Sequence, residues 1–357
     1  MTSHAHKGRG AVSRPAGRFE KTRVSLDDEA DYELANRSPE TVFRATMADR
    51  IISTNKSPDI PFDQSINPYQ GCEHGCVYCY ARPSHSYLDL SPGLDFETQI
   101  FYKPNAAARL LAAWEKKSYE CKPITIGANT DPYQPVEKDQ SITRQLLEKF
   151  LECRHPVTLI TKSNLIVRDL DLLSELARRD LCSVAISIPT LDDGLKRIME
   201  PRVPSAAARL SAIKKLAQNG IPTSALVAPI IPAINDNEIE SVLAAVADAG
   251  ARQAHYIFLR LPHELVQIVS DWLEEHFPDR RERVLSLVSQ ASGGRAYDSR
   301  FGVRQTGRGA YAEMLASRFR TATRKLGLES GSYAHSLDCS QFRRPGRRPL
   351  VLALWCG

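Results

Sequence analysis

Six short apolar segments, separated by segments with helical periodicity, constrain the fold of this 357-residue chain more than any other sequence feature. The predicted strands cover residues 65–70, 123–128, 157–161, 183–188, 223–228 and 255–259. Strands that alternate with amphipathic helices are typical of successive parallel β-α units. We therefore expect an α/β fold, a partial (β/α)6 barrel of the TIM type with a C-terminal helical extension.

Composition divides the chain into four predicted parts. Residues 1–53 mix Gly, Ser, Arg and acidic groups with little apolar periodicity, which indicates a mostly disordered basic leader. Residues 54–276 form the predicted barrel core, residues 277–330 a helical capping extension, and residues 331–357 a basic tail.

Two helices of the core carry end signals in the sequence. Ser205 precedes an apolar stripe at helical spacing and Gly220 follows it, which predicts an N-cap and a C-terminal stop. Asn235 and Glu238 have the spacing of a capping box before the next helix. These stripes predict core packing and carry no functional assignment.

Three of the eight cysteines lie close together in the segment NPYQGCEHGCVYCY, directly after the first predicted strand. Their spacing is C-x3-C-x2-C, through Cys72, Cys76 and Cys79. Three thiolates can hold three irons of a cubane cluster that normally takes four protein ligands, so the fourth iron stays open to a chelating ligand. The alternatives are a zinc site without its fourth ligand and an electron-transfer cluster completed by a distant cysteine.

The remaining five cysteines show no second pair at metal-binding spacing. They are Cys121, Cys153, Cys182, Cys339 and Cys356. In a chain of this size without a secretory signal, each is most simply interpreted as a reduced thiol.

The cysteine spacing resembles the radical S-adenosylmethionine (SAM) superfamily. Further segments, GANTDPYQPVE, LITKSNLIVRDLDLL, ISIPTLDD, MEPRVPS and VAPIIPAINDNE, resemble its DNA-repair-photolyase-like branch, which is related to spore photoproduct lyase. The resemblance covers about residues 65–262 and implies a [4Fe-4S] cluster on the three cysteines. It also implies reductive cleavage of SAM to a 5′-deoxyadenosyl radical for hydrogen abstraction, with electrons from an external donor of the flavodoxin or ferredoxin type.

The same resemblance assigns SAM-binding residues to the loops that follow the strands. They are Tyr78, Asn129, Asp131, Lys162, Ser163, Ser187, Arg202 and Ile231. Tyr78 supplies an aromatic ring beside the cluster. Asn129 and Asp131 stand where a Gly-Gly-Glu type motif usually binds the methionine amine. Lys162 and the hydroxyls of Ser163 and Ser187 stand where related proteins contact the ribose.

Two of these assignments have structural alternatives. Arg202 suits the methionine carboxylate because guanidinium and carboxylate form a two-pronged hydrogen bond, but a local salt bridge between Glu200 and Arg202 is equally compatible with the sequence. Ile231 would pack against adenine or, alternatively, against the base of its own loop.

The sequence departs from spore photoproduct lyases at one important position. In those enzymes a hydrogen-donating cysteine ends the second strand, whereas Asn129 stands here and Cys121 precedes the strand. Three hypotheses follow: a radical SAM enzyme acting on nucleic acid, one acting on a peptide or small metabolite in a pocket lined by residues 292–309, and a non-catalytic iron-sulfur redox module.

The formal net charge of +5 is concentrated near the two ends, in residues 4–23 and 343–348. Such segments would bind a phosphate backbone or remain solvated. The sequence has no apolar run long enough for a membrane span and no apolar region at its polar N-terminus. We therefore expect no membrane association and a cytoplasmic location.

Overall fold

The computed structural model describes residues 6–19, 40–329 and 337–346. The strands are β1 Val42–Ala45, β2 Ile52–Thr54, β3 Gln64–Ile66, β4 Tyr69–Gln70, β5 Gln99–Tyr102, β6 Ile124–Ile126, β7 Val157–Thr161, β8 Cys182–Ser187, β9 Thr223–Ile230 and β10 Gln253–Phe258. Seven of them form one sheet in the order β10-β9-β8-β7-β6-β3-β2. Neighbours from β3 to β10 are parallel, and β2 is antiparallel to β3. The predicted partial α/β barrel is confirmed.

The first predicted strand, residues 65–70, is in fact two strands in different sheets. β3 pairs with β6 in the barrel, whereas β4 pairs antiparallel with β5 in a small sheet of order β1-β5-β4. Pro68 lies between them and has no N–H group to continue a ladder. The chain therefore leaves the barrel before the cysteine segment begins.

The helices are α1 Asp95–Thr98, α2 Ala106–Trp114, α3 Glu137–Gln140, α4 Ile142–Glu152, α5 Leu170–Ala177, α6 Asp193–Met199, α7 Ala206–Gln218, α8 Ile239–Asp248, α9 Leu265–His276, α10 Pro278–Ala291 and α11 Ala310–Lys325. Short 3-10 helices cover Arg82–Leu88, Asn164–Asp169 and Asp236–Glu238. None of the described helices is long and apolar enough to cross a bilayer.

One of the two helix-end predictions is confirmed and the other is wrong. Ser205 caps α7, because its side chain accepts a hydrogen bond from the Ala208 N–H, and Gly220 follows the helix with φ +72°. Asn235 instead binds the carbonyls of Pro189 and Pro229, and the Glu238 carboxylate accepts from Thr190 and Leu191. The capping-box residues therefore tie the β9–α8 loop to the β8–α6 loop.

The two faces of the barrel sheet differ in polarity. Val157, Leu159 and Val184 are buried in the main hydrophobic core. The other face carries hydroxyls near the amino ends of the strands, where Thr125 and Thr158 hydrogen-bond through their Oγ1 atoms at 2.7 Å. A cavity of about 290 Å³ lies there, lined in part by Ser183.

Residues 292–309 span the two edges of the barrel sheet. The Phe258 N–H at the end of β10 donates to the Gln305 carbonyl, and Arg304 forms an ion pair with Asp59 in the β2–β3 connection. α11 then packs beside α8 in the outer helix layer, where Arg318 pairs with Glu240. The boundaries of the predicted extension, residues 277–330, remain a prediction.

Part of the predicted disordered leader is folded onto the barrel. Residues 6–19 run along the cysteine segment, and residues 42–45 form β1 of the small sheet. Arg9 is only 5% exposed and donates to the Glu97 carbonyl and to Thr41 Oγ1. Prediction of a disordered leader is thus wrong for these residues, while residues 1–5 and 20–39 lie outside the described part.

Candidate active site

The three motif cysteines lie in a tight loop that follows β4 at the rim of the barrel. Cys72 and Cys76 are buried, Cys79 is partly buried, and all three are free thiols. Gly75, between the first two, has φ +67°, and a Cβ atom there would lie 2.6 Å from Glu97 Oε2. Position 75 therefore requires glycine, because of both the backbone conformation and the limited space.

A buried ion pair fixes the shape of this loop. Arg82 and Glu97 are both fully buried and paired. The Arg82 guanidinium also donates to the carbonyls of Gly75 and Cys76, and the Glu97 carboxylate accepts from the backbone N–H groups of Gly10 and Ala11. The pair thus ties the cysteine loop to the N-terminal segment.

The donor set fits an iron-sulfur cluster, because three free thiols lie on one short loop. Each thiolate of a three-cysteine cubane site binds its own iron. Burial, followed by the charge of Glu200, raises the pKa of Cys76. Binding of iron to these thiols would therefore release protons.

Three predicted site residues surround Cys76. Lys162 Nζ lies 2.8 Å from Ser187 Oγ and 5.6 Å from the centre of the Tyr78 ring. The Tyr78 hydroxyl donates to the carboxylate of Glu200, whose Oε1 is 4.0 Å from Cys76 Sγ. Tyr78, Lys162 and Ser187 are therefore brought together beside the second cysteine, and their role in SAM binding stays a prediction.

Glu200 organises this group from within the protein. It is fully buried and forms ion pairs with Arg209 at 2.9 Å and Lys162 at 3.9 Å. Burial raises its pKa, but the two cations outweigh burial, so the pKa lies below its ordinary value. Glu200 is accordingly a carboxylate that forms an ion pair with Lys162 next to the cysteine loop.

Asp131 lies beside the first cysteine pair with both oxygens occupied. Oδ1 accepts from Thr161 Oγ1 and the Tyr133 N–H, and Oδ2 accepts from the Lys162 N–H and lies 3.3 Å from His74 Nδ1. Burial opposes the charged form, yet His74 and these hydrogen bonds leave the pKa of Asp131 lowered. Asp131 thus connects the cysteine loop to the end of β7.

Four predicted site residues are placed differently from this group. Asn129 is exposed, with its N–H on Asn67 Oδ1, and the Ser163 hydroxyl caps the 3-10 helix through the Leu165 N–H. Arg202 pairs with Glu73 at 2.9 Å and contacts the Gly8 carbonyl. Glu200 pairs with Arg209 and Lys162, so the Glu200–Arg202 bridge considered from sequence is not formed. The fourth, Ile231, is buried at 1% exposure in the hydrophobic core.

An aromatic and cationic group stands at the rim immediately after the third cysteine. The Arg260 guanidinium, past the end of β10, lies 5.4 Å from the Tyr80 ring centre and 5.7 Å from that of Tyr297. It also donates to the Tyr297 hydroxyl at 3.2 Å. Tyr80 is 45% exposed. We call Tyr80, Arg260 and Tyr297 the rim platform.

The site also uses residues that sequence reasoning missed. Glu97, Arg82, Arg209 and His74 are all buried polar groups of the cluster loop or its supports. His74 lies inside the cysteine motif and Glu200 lies inside the segment MEPRVPS, so both positions could have been recognised as part of the site from the sequence. Nothing in the local sequence around Glu97 or Arg209 marks either residue.

Comparison with known proteins defines the class of this chain. The radical SAM superfamily model matches residues 66–246. An uncharacterized protein of Mycobacterium tuberculosis is 34% identical over 238 residues, covering 65% of this chain and 70% of the relative. The chain therefore belongs to the radical SAM superfamily and is an enzyme of that class, which implies a [4Fe-4S] cluster, SAM and an external electron donor.

Two more distant likenesses involve proteins with named activities. Spore photoproduct lyase with bound AdoMet and dinucleoside spore photoproduct has a TM-score of 0.60 and 18% identity, and the match covers 87% of each chain. It shares the fold. The radical SAM Nα-GlyT isomerase of Pseudomonas phage M6 is 24% identical, covering 65% of this chain and 48% of the phage protein.

Proposed function

We propose that this radical SAM enzyme abstracts hydrogen from a nucleobase of DNA or RNA that stacks on the rim platform. The rim platform is the observation that carries the proposal. Arginine guanidinium planes and tyrosine rings are the surfaces on which proteins stack unpaired bases. Tyr80 directly follows the ligand Cys79, so a base on this surface would lie next to the cluster loop.

The loop that carries Tyr297 adds positive charge for a phosphate backbone. Arg300 pairs with Asp298 and Arg304 with Asp59. Arg295 forms no ion pair with the carboxylates of the described residues, so its charge would be available to phosphates. Arg308 is close enough to Asp298 to lower the pKa of that carboxylate. In the predicted basic tails, Arg9 and Arg344 donate to backbone carbonyls of Glu97, Trp114 and Tyr119, so we place the phosphate contacts on the loop instead.

The residues around Cys76 have separate parts in the proposed reaction. Cys72, Cys76 and Cys79 would hold the cluster, and SAM bound to its open iron would supply the 5′-deoxyadenosyl radical that takes a hydrogen atom from the base. Lys162 and Ser187 would hold the nucleoside part of SAM. Glu200 would position both Lys162, through an ion pair, and Tyr78, whose hydroxyl donates to it.

Fluorescence anisotropy with a labelled single-stranded oligonucleotide tests the rim platform in the apo protein. Loss of base stacking is worth about 1–3 kcal/mol, so Tyr80→Ala should weaken binding about 5- to 150-fold and leave its salt dependence unchanged. Arg295→Ala should lower the slope of log K against log salt by about one. Arg318→Ala, whose partner Glu240 lies in the outer helix layer, is the matched control.

A second measurement follows 5′-deoxyadenosine from the reduced holoenzyme with and without oligonucleotide. We expect the oligonucleotide to stimulate its formation in wild type and in Arg318→Ala, but not in Tyr80→Ala. Equal binding by Tyr80→Ala and Arg318→Ala, or stimulation by peptides or small metabolites in place of oligonucleotides, would contradict the proposed substrate class.

A further inference from the structure

Two cysteines outside the cluster loop, Cys121 and Cys339, meet at the opposite end of the barrel. They lie far apart in the sequence, but the segments that carry them are in contact: Tyr119 packs against Phe342, and Lys122 and Leu337 line the same cavity. Each thiol is also close enough to the other to affect its pKa. Both residues are partly exposed and both are free thiols. The sequence offered no reason to pair them, since neither belongs to a short cysteine motif.

The C-terminal segment 337–346 that carries Cys339 is held in place by its backbone. The Asp338 N–H donates to the Asp180 carbonyl at 3.0 Å, and the Arg343 N–H donates to the Cys153 carbonyl at 2.8 Å. Gln341 Nε2 adds a bond of 2.8 Å to the Arg179 carbonyl. Cys339 therefore reaches Cys121 from an ordered position.

Side chains of the same segment contact the residues that precede Cys121. Phe342 packs edge-on against Trp114 and Tyr119, with ring centres 5.8 and 5.7 Å apart. The Arg344 guanidinium donates to the carbonyls of Trp114 and Tyr119 at 3.1 and 2.9 Å. The residues leading into Cys121 are thus fixed against the segment that carries Cys339.

We propose that Cys121 and Cys339 form a reversible disulfide that locks segment 337–346 across the amino ends of the barrel strands. Leu337, two residues before Cys339, and Lys122, next to Cys121, both line the cavity of about 290 Å³. The disulfide would therefore join the two chain segments that close this end of the barrel.

The disulfide would form by thiol-disulfide exchange with a small-molecule disulfide such as oxidised glutathione. The Cys121 thiolate attacks one glutathione sulfur, the S–S bond of glutathione breaks, and one reduced glutathione leaves. The Cys339 thiolate then attacks the mixed disulfide and releases a second reduced glutathione. Two protein thiols are oxidised, one disulfide is reduced, and the two protein protons pass to the departing thiolates.

The surroundings of the pair set its pH response. Burial and then the neighbouring sulfur raise the pKa of Cys121, and burial raises that of Cys339. Asp338, beside Cys339, also disfavours the thiolate. Because only thiolates react, exchange should accelerate as the pH rises from 7 to 9.

Peptide mapping of the anaerobic holoenzyme tests the proposal. After exposure to oxidised glutathione and alkylation, trypsin should yield residues 118–138 joined to residues 326–343, at least ten-fold above a sample reduced with dithiothreitol. The joined peptide should persist in Cys153→Ser, whose thiol is buried, and disappear in Cys121→Ser and Cys339→Ser.

Hydrogen exchange gives a second readout that does not depend on enzyme activity. Oxidation should slow amide exchange in residues 337–346 of wild type, and dithiothreitol should restore it. Separate glutathione adducts on Cys121 and Cys339 without the joined peptide, or a bond from either residue to Cys356, would overturn the proposal. If amide hydrogen exchange in residues 337–346 stayed unchanged when the disulfide was fully formed, the proposal that it locks this segment would be overturned.

Discussion

The buried pair between Arg82 and Glu97 gives the sharpest test of how the cysteine loop is held. Glu97→Gln keeps the shape of the side chain and removes its charge. Arg82, which is 0% exposed, would then be a buried cation without an anion, hydrogen-bonded to backbone carbonyl groups. Breaking a buried pair by removing one partner lowers the free energy of unfolding by about 3–5 kcal/mol. The amide also has only one acceptor oxygen, so one of the two bonds from the Gly10 and Ala11 N–H groups is lost.

Urea unfolding of the apo protein, followed by circular dichroism under reducing conditions, measures this change. The matched control is Glu240→Gln, because Glu240 and Arg318 form an exposed pair worth less than about 1 kcal/mol. Iron content after reconstitution should fall in Glu97→Gln and remain at the wild-type level in Glu240→Gln. A loss of unfolding free energy below about 1 kcal/mol in Glu97→Gln would refute the reasoning.

Two further predictions concern the same loop and the opposite end of the barrel. Gly75→Ala should lower iron content, since its Cβ would meet Glu97, whereas Gly294→Ala, also at positive φ but in open space, should leave iron content unchanged. Burial lowers the pKa of His155 from 6.5 to about 4, so below pH 6.5 the unfolded chain binds more protons than the folded chain. The free energy of unfolding therefore decreases as the pH is lowered. In urea unfolding, His155 should account for about 2 kcal/mol of the unfolding free energy lost between pH 7.5 and pH 5. His155→Phe should remove this part of the pH dependence, and an unchanged pH dependence would contradict the prediction.

The elements predicted well from sequence are those with local signals. Short apolar segments bounded by turn residues predicted the six barrel strands, and the cysteine spacing predicted the superfamily. The split at Pro68 was missed because residues 65–70 read as one apolar run whose halves pair with different partners. Asn235 and Glu238 have the spacing of a capping box, but both side chains form hydrogen bonds with the neighbouring loop instead.

The candidate site was predicted only where its residues lie next to strand ends. Lys162 and Ser187 come together because successive parallel strands bring their carboxyl ends to one rim. Tyr78, from the cysteine loop, joins them through Glu200, which binds both Tyr78 and Lys162. The supports Arg82–Glu97 and Glu200–Arg209 depend on contacts between distant segments, which periodicity does not report. The N-terminal residues 6–19 lack apolar periodicity because they bind through backbone groups and arginines to Glu97 and its neighbours.

Formation of 5′-deoxyadenosine from SAM tests the central claim most directly. The protein is reconstituted with iron and sulfide without oxygen, reduced with dithionite, and supplied with SAM and oligonucleotide, and wild type is compared with Cys76→Ala. The account predicts about four irons per chain and 5′-deoxyadenosine in wild type, with both lost in Cys76→Ala. A variant that keeps the wild-type iron content, or a fully loaded wild-type protein that binds SAM and never cleaves it, would contradict the account.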